Sequence, residues 1–252
     1  MRNLSTLMHR AGAFALPVLV ACLPLAACLL LARPVLAQDF TPAQRAEIVR
    51  IVRDALLRDP SILHDAFQAM KDADMRSTIE AHRAALVTPA DPVAGNVNGT
   101  VTVVEFYDTR CPYCREIEPT MAQLLAQDHA VRLVYKDLPV LGPASVLAAH
   151  ALLAAQQQNG YEKLRTALMH APPEYTKEQI LALARKVGLD TNRLAHDMDD
   201  PAIATRLDAN LSLASALGID GTPALVVGDV LVPGAIELSE LEKDVATARA
   251  AQ

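Results

Sequence analysis

The sequence predicts an α/β domain that carries a helical insertion and is preceded by an N-terminal helical arm. Three observations lead there. A β-rich run, a helical face and a second β-rich run follow one another from Val101 to Lys136; residues 144–217 show only helical patterning; and a hairpin with one last helix closes the chain. The composition agrees: 252 residues, 52% apolar and 21% charged, are enough for one or two globular domains and do not describe a disordered chain. A formal charge of −6 argues against nucleic acid as a partner, because phosphate binding needs a basic surface. No self-similarity with a period of about 20–50 residues is present, which excludes solenoids and propellers.

The first element is a leader. Arg2 and Arg10 precede an uncharged run from Ala11 to Ala32, and Val35 and Ala37 suit the −3 and −1 subsites of a signal peptidase, so residues 1–37 read as a signal peptide cut after Ala37. Two other readings stay open. The run is long enough to anchor the chain in a bilayer, which takes about 20 apolar residues, and Leu25-Ala26-Ala27-Cys28 reads as a lipobox. All three export the domain, and the expected location is the periplasm. Cleavage removes Arg2, Arg10 and Arg33 with no acid, taking the formal charge from −6 to −9. It also removes Cys22 and Cys28, leaving Cys111 and Cys114 as the only thiols of the mature chain.

Residues 38–88 form the arm. Thr41, Pro42 and Gln44 make a helix start with a capping box, and Ile48, Val49, Ile51, Val52, Ala55 and Leu56 give the helix an apolar face. Asp59-Pro60 ends it and begins another carrying Ile62, Leu63, Ala66, Phe67 and Met70, continued by Met75, Ile79 and Leu86. So short an arm cannot bury its stripe alone, so it packs either on its own domain or, through residues 41–87, on other copies of itself. Residues 89–98, rich in Pro, Gly and Asn, read as a linker to a domain spanning 99–252.

In that domain Val101–Tyr107 is a strand leading directly into Cys111-Pro112-Tyr113-Cys114, and Ile117, Met121, Leu124 and Leu125 mark the helix that follows. Val131, Leu133 and Tyr135 alternate with Arg132, Val134 and Lys136 as a second strand, expected parallel to the first. The insertion breaks into helices at Asn-Gly, Pro-Pro, Gly and Asp-Pro. Ala224–Val227 and Val230–Val232 flank a Gly228-Asp229 turn, and Ser239 with Glu242 is the expected cap of the last helix.

The chemistry concentrates at the cysteine pair. Cys111 falls at the helix start and Pro112 suits the first helical position. Unpaired backbone N–H groups and the positive helix end stabilise a thiolate there, lowering a thiol from ~8.5 into the range ~3.5–7.5. Residues three apart share a face, so Cys114 can resolve a mixed disulfide formed at Cys111. A disulfide closing so short a loop staples little, which disfavours a structural role. Zinc is disfavoured for want of paired ligands, and covalent haem fails because position 115 is Arg. No metal site and no cofactor beyond a redox-active Cys111–Cys114 disulfide is expected.

The runs V-E-F-Y-D-T-R-C-P-Y-C, K-D-L-P-V-L-G and G-T-P-A-L-V-V-G resemble the DsbA family of thioredoxin-fold oxidoreductases over about residues 99–249, and the arm makes the chain most similar to the ScsC branch. The resemblance implies a thioredoxin-like fold with a helical insertion, and a cis proline at Pro223. Thr222 would then dock substrate as an added strand; the alternative is a trans proline at a strand start. It also implies that Glu105 relays a proton to or from Cys114, the alternative being a solvated edge carboxylate. Tyr113 stands where DsbA usually has His, so a less acidic Cys111 and a less oxidising pair are expected. Members of this branch are linked to copper tolerance and disulfide isomerisation, and some trimerise through their arms. The implied partners are cysteine-containing exported proteins and a membrane redox partner that resets the disulfide.

The resulting expectation is an exported thiol-disulfide oxidoreductase acting as isomerase or reductase. Alternatives are a monomeric DsbA-like dithiol oxidase, a copper(I)-binding or chaperone module using the two thiols as soft ligands, and a structural envelope protein.

Overall fold

The computed structural model describes residues 39–251, so the leader expected over 1–37 lies outside the described residues. The chain divides after Leu63 into two units. In the first, helix α1 (Pro42–Arg58) begins as its sequence dictates. Thr41 Oγ1 accepts the Gln44 N–H at 3.3 Å while Gln44 Oε1 accepts the Thr41 N–H at 2.9 Å, a reciprocal cap whose Thr alone contributes about 1 kcal/mol. Asp59 stops α1, and its carboxylate accepts the Ser61 N–H at 3.1 Å at the start of α2 (Ser61–Leu86). No residue of α1 is buried, and Ile48, Val49, Ile51 and Val52 are between 41% and 57% exposed.

The second unit is built on a five-stranded sheet of order β1-β3-β2-β4-β5: β1 (Val93–Gly95), β2 (Val101–Tyr107), β3 (Val131–Asp137), β4 (Ala224–Val227) and β5 (Val230–Pro233). β2 and β3 run parallel, joined through α3 (Pro112–Gln127), and the other pairings are antiparallel. Successive residues of a strand face opposite sides. Val103 and Tyr107 of β2 therefore join one core with Ile117 and Met121 of α3, Leu241 and Val245 of α9 (Leu238–Ala250), and the insertion. Val104 and Phe106 join the other, with Ile79 and Leu86 of α2 and Leu213 and Leu217.

Two expectations about the arm and linker need correction. Residues 89–98 are not a free linker: β1 lies within them and pairs with β3, Val93 opposite Val134. Lys136 of β3 fastens the approach, donating to Asp91 Oδ2 at 2.7 Å and to Ala85 O at 2.9 Å, with both side chains nearly inaccessible. The arm is likewise divided, since Ile79 and Leu86 pack on the sheet of their own domain whereas Phe67 and Met70, assigned to the same stripe, are exposed.

The insertion comprises α4 (Pro143–Gln156), α5 (Tyr161–Met169), α6 (Lys177–Lys186), α7 (Thr191–Asp197) and α8 (Pro201–Ala216). The expected Asp-Pro breaker acts as a helix start, the Asp200 carboxylate capping α8, and Asp190, which the sequence pattern did not single out, caps α7 in the same way. In the hairpin, Gly228 adopts φ +61°, and a Cβ there would sit 2.9 Å from that of Ala248, so glycine is needed for conformation and for space. The last helix departs from expectation: it begins at Leu238 behind Glu237, which makes no side-chain cap, so Ser239 and Glu242 lie inside it.

Candidate active site

β2 delivers the chain to the start of α3 through Asp108, Thr109 and Arg110. Cys111 is the N-cap, with extended backbone (φ −70°, ψ 123°), and Pro112 occupies the first turn. The two thiols are unbonded; Cys111 is 5% exposed and Cys114 inaccessible, while Tyr113 is largely exposed. The Cys111 thiol lies 3.0 Å from Thr222 O. The Thr222–Pro223 peptide is cis, and Pro223 is buried beside the pair.

The two sulfurs are electrostatically unlike. Hydrogen bonding from the Cys114 side chain lowers Cys111 to about 5, against the opposing effect of burial, with help from the Thr222 side chain and the backbone of Cys114 and Tyr113. Burial pushes Cys114 strongly up, reinforced by its role as donor to Cys111 and by the charge of Glu105. One sulfur is thus ionised at neutral pH while its partner holds a proton. That asymmetry lets the first attack a disulfide and keeps the second in reserve.

Glu105 is inaccessible, on the face of β2 that also carries Val103 and Tyr107. Neither carboxylate oxygen has a hydrogen-bond partner. Burial raises it to about 7, Arg165 working against that rise and Glu118 and Glu162 adding to it. Arg165 comes from α5 in the insertion, 3.7 Å from Glu105, 3.3 Å from Glu118 and 3.8 Å from Glu162. Its guanidinium packs against the rings of Tyr107 and Tyr135, 4.7 and 4.3 Å from their centroids, and the two rings meet edge to face beside it, 5.6 Å apart. Tyr107 is held by Asp137 at 3.0 Å and Tyr161 at 2.7 Å, and Tyr161 also reaches Asp137 at 3.0 Å. Both phenols donate to the Asp137 carboxylate; burial raises it to about 6, the two hydrogen bonds working against that rise.

Three more residues fix the loop around the pair. Asp108 accepts the Val140 and Leu141 N–H groups at 3.0 and 3.1 Å and the Ser145 hydroxyl at 2.9 Å. Arg110 donates to Pro173 O at 2.7 Å and to Leu141 O and Glu174. Arg115 donates to Thr109 O at 2.8 Å, Ala171 O at 2.6 Å and the Tyr175 hydroxyl at 2.6 Å, tying the insertion to the loop before Cys111.

The structure therefore brings Cys111, Cys114, Thr222 and Pro223 together and puts Glu105 in the interior. Sequence reasoning missed Arg165, Asp137 and Tyr161. A signal for Arg165 existed: α5 buries Tyr161, Leu164, Leu168 and Met169, and a charge four residues after Tyr161 falls on that apolar face. Among the described residues no group of three His, Cys, Asp or Glu side chains converges as a metal site.

Comparison with known proteins places this geometry. A family model described as "DSBA-like thioredoxin domain" matches residues 102–246. Among curated proteins the chain is 32% identical to Na(+)/H(+) antiporter NhaA 3 of Salinispora tropica over 56% of this chain and 23% of that protein. It is 28% identical to thiol:disulfide interchange protein DsbA of Bordetella parapertussis over 54% of this chain and 68% of that one. It spans about a quarter of the length of the antiporter relatives it matches. Among solved structures, a thioredoxin-like oxidoreductase from Silicibacter pomeroyi is similar at 45% identity and TM-score 0.64, over 66% of this chain and 95% of that one. Proteus mirabilis ScsC in a transitional conformation is similar at 30% identity and TM-score 0.64, over 84% of this chain and all of that one.

Proposed function

The chain belongs to the family of DSBA-like thioredoxin domains, and from that premise we propose that it is an exported thiol-disulfide oxidoreductase working as a disulfide isomerase or reductase on cysteine-containing proteins. The observation that carries the reading is the split between Cys111, lowered to about 5, and Cys114, pushed up. The Cys111 thiolate attacks a substrate disulfide, forming a mixed disulfide and releasing one substrate thiolate. Cys114 then gives its proton to Glu105 and attacks the Cys111 sulfur. The Cys111–Cys114 bond forms, the bond to substrate breaks, and the substrate leaves reduced while the pair is oxidised. An isomerisation ends instead when a second substrate thiolate displaces Cys111.

The direction rests on the poise. A Cys111 of about 5 lies between thioredoxin at ~7 and DsbA at ~3.5, and an intermediate acidity suits the potential of about −180 mV at which an isomerase works. Tyr113 adds no cation beside Cys111, which fits a thiol less acidic than DsbA's. Thr222, within reach of Cys111, is the docking point for an extended substrate backbone.

The exposed aliphatics of α1 support self-association of the arm, as a trimer that would set several active sites around one substrate. The likeness to ScsC reaches 84% of this chain, more than the domain after residue 98 can supply. The basic, apolar leader supports export to the periplasm, where a membrane redox partner would reset the pair.

Refolding of scrambled ribonuclease by the full-length protein, the Cys111→Ala variant and a chain lacking α1 tests the reading. Isomerisation is expected to vanish with Cys111→Ala and to fall, with the solution mass dropping to a monomer, without α1. Full activity in Cys111→Ala sinks the reading, and equal activity without α1 removes the arm from it.

A further inference from the structure

We propose that Arg165, supplied by the helical insertion, is a positioning residue for the proton step at Cys114: its charge, shared among three carboxylates, keeps Glu105 able both to accept and to return the proton. This rests on the reading of Glu105 as that acceptor.

The geometry is not that of a closed structural ion pair. A buried arginine and carboxylate that serve only stability close on each other with two short hydrogen bonds, at about 2.7–2.9 Å. Here the contact to Glu105 stays at 3.7 Å, and both Glu105 oxygens and Arg165 Nε, all buried, have no hydrogen-bond partner. The guanidinium is held back by other groups. The rings of Tyr107 and Tyr135 pack against it, 4.7 and 4.3 Å from its central carbon, and Glu118 and Glu162 draw on Nη1 at 3.3 and 3.8 Å. Tyr107 is itself fixed by the hydrogen-bonded ring with Asp137 and Tyr161. These contacts leave Glu105 with lone pairs free to take a proton and with a cation near enough to favour its release.

The charged and titratable groups around Glu105 come from four elements, Cys114 and Glu118 on α3, Tyr107 on β2, Tyr135 on β3, and Glu162 and Arg165 on α5, while β4, paired through Leu225, adds none. Arg165 is the one cation named among them. A neutral side chain there leaves Glu105 facing burial and two anions, so its ionised form is disfavoured and its titration moves to higher pH. The insertion would then be part of the redox centre as well as a wall beside it.

The test follows decay of a mixed disulfide between Cys111 and a model peptide as a function of pH, in the full chain and in its Arg165→Gln, Arg165→Met, Arg165→Lys and Glu105→Gln variants. The unmodified protein should show a rising limb near neutrality. The Gln and Met variants should carry that limb upward by about one pH unit or more, a tenfold loss on its acid side, and Lys, which keeps the charge, should hold it within about 0.3 unit. Glu105→Gln should abolish the limb. If it is abolished there but unmoved in Arg165→Gln and Arg165→Met, Arg165 is structural only and the proposal falls alone. A Lys variant displaced by a full unit also overturns it, and this holds should neither neutral variant fold. An unchanged limb in Glu105→Gln removes the proton-acceptor reading and the proposal together.

Discussion

Lowering the pH of the reduced protein from neutrality to about pH 4 should destabilise it relative to its disulfide form, by an amount that follows from one atom. Cys111 titrates at about 5 in the fold and at ~8.5 in the unfolded chain. A depressed folded value gives stability that is complete above the unfolded value and lost as pH falls through the folded one. At pH 7 the folded thiol is about two decades into ionisation and the unfolded one is protonated, which is worth about 2.7 kcal/mol; near pH 4 both are protonated and the contribution is gone. The disulfide form has no titrating thiol, and Glu105 and Asp137 are present in both forms, so their contributions largely cancel in the difference. The same 2.7 kcal/mol makes the disulfide about 60 mV more oxidising at pH 7 than an unperturbed thiol would. Urea unfolding of both forms at several pH values measures the difference, and thiolate absorbance gives the midpoint directly. A difference constant to within about 0.5 kcal/mol over this range, or a midpoint near the usual thiol value, would refute the assignment of Cys111 as an ionised nucleophile.

Other outcomes follow from the same structure. Cys114→Ala removes the donor that does most to lower Cys111, so alkylation of Cys111 should titrate about one unit or more higher; an unmoved midpoint would put the helix start in charge instead. Tyr113→His places a titratable cation beside the helix start and should raise the reduction potential by about 30 mV for each unit by which Cys111 falls, read by equilibration with glutathione. Ile79→Ala, at an inaccessible position of α2, should cost about 2–5 kcal/mol in urea unfolding, and a cost typical of a surface site would mean that α2 is not part of the domain core.

Much of the molecule was legible from local pattern. The β-rich run Val101–Tyr107 and the alternation from Val131 to Lys136 mark strands, and the Asp200-Pro201 breaker marks a helix start, because backbone preference and amphipathic spacing act within a few residues. The linker was misread for the same reason: Pro, Gly and Asn report the lack of a helix but not whether Val93–Gly95 meets a strand edge. The Ser239 and Glu242 pattern matched a cap, but Glu237 came to lie at the helix start instead.

By itself the sequence determined that a Cys-Pro-Tyr-Cys pair stands at the start of a helix behind a strand, the condition for one reactive thiol. Only the tertiary structure decided what surrounds that pair. Thr222 reaches Cys111 from 111 residues away, Glu105 loses all contact with water, and Arg165 crosses from the insertion to stand beside it against two tyrosine rings. Helix starts and strand periods are set by neighbours in the chain. Desolvation and pairing of charge depend on which distant segments exclude water from the same point, and no local pattern records that.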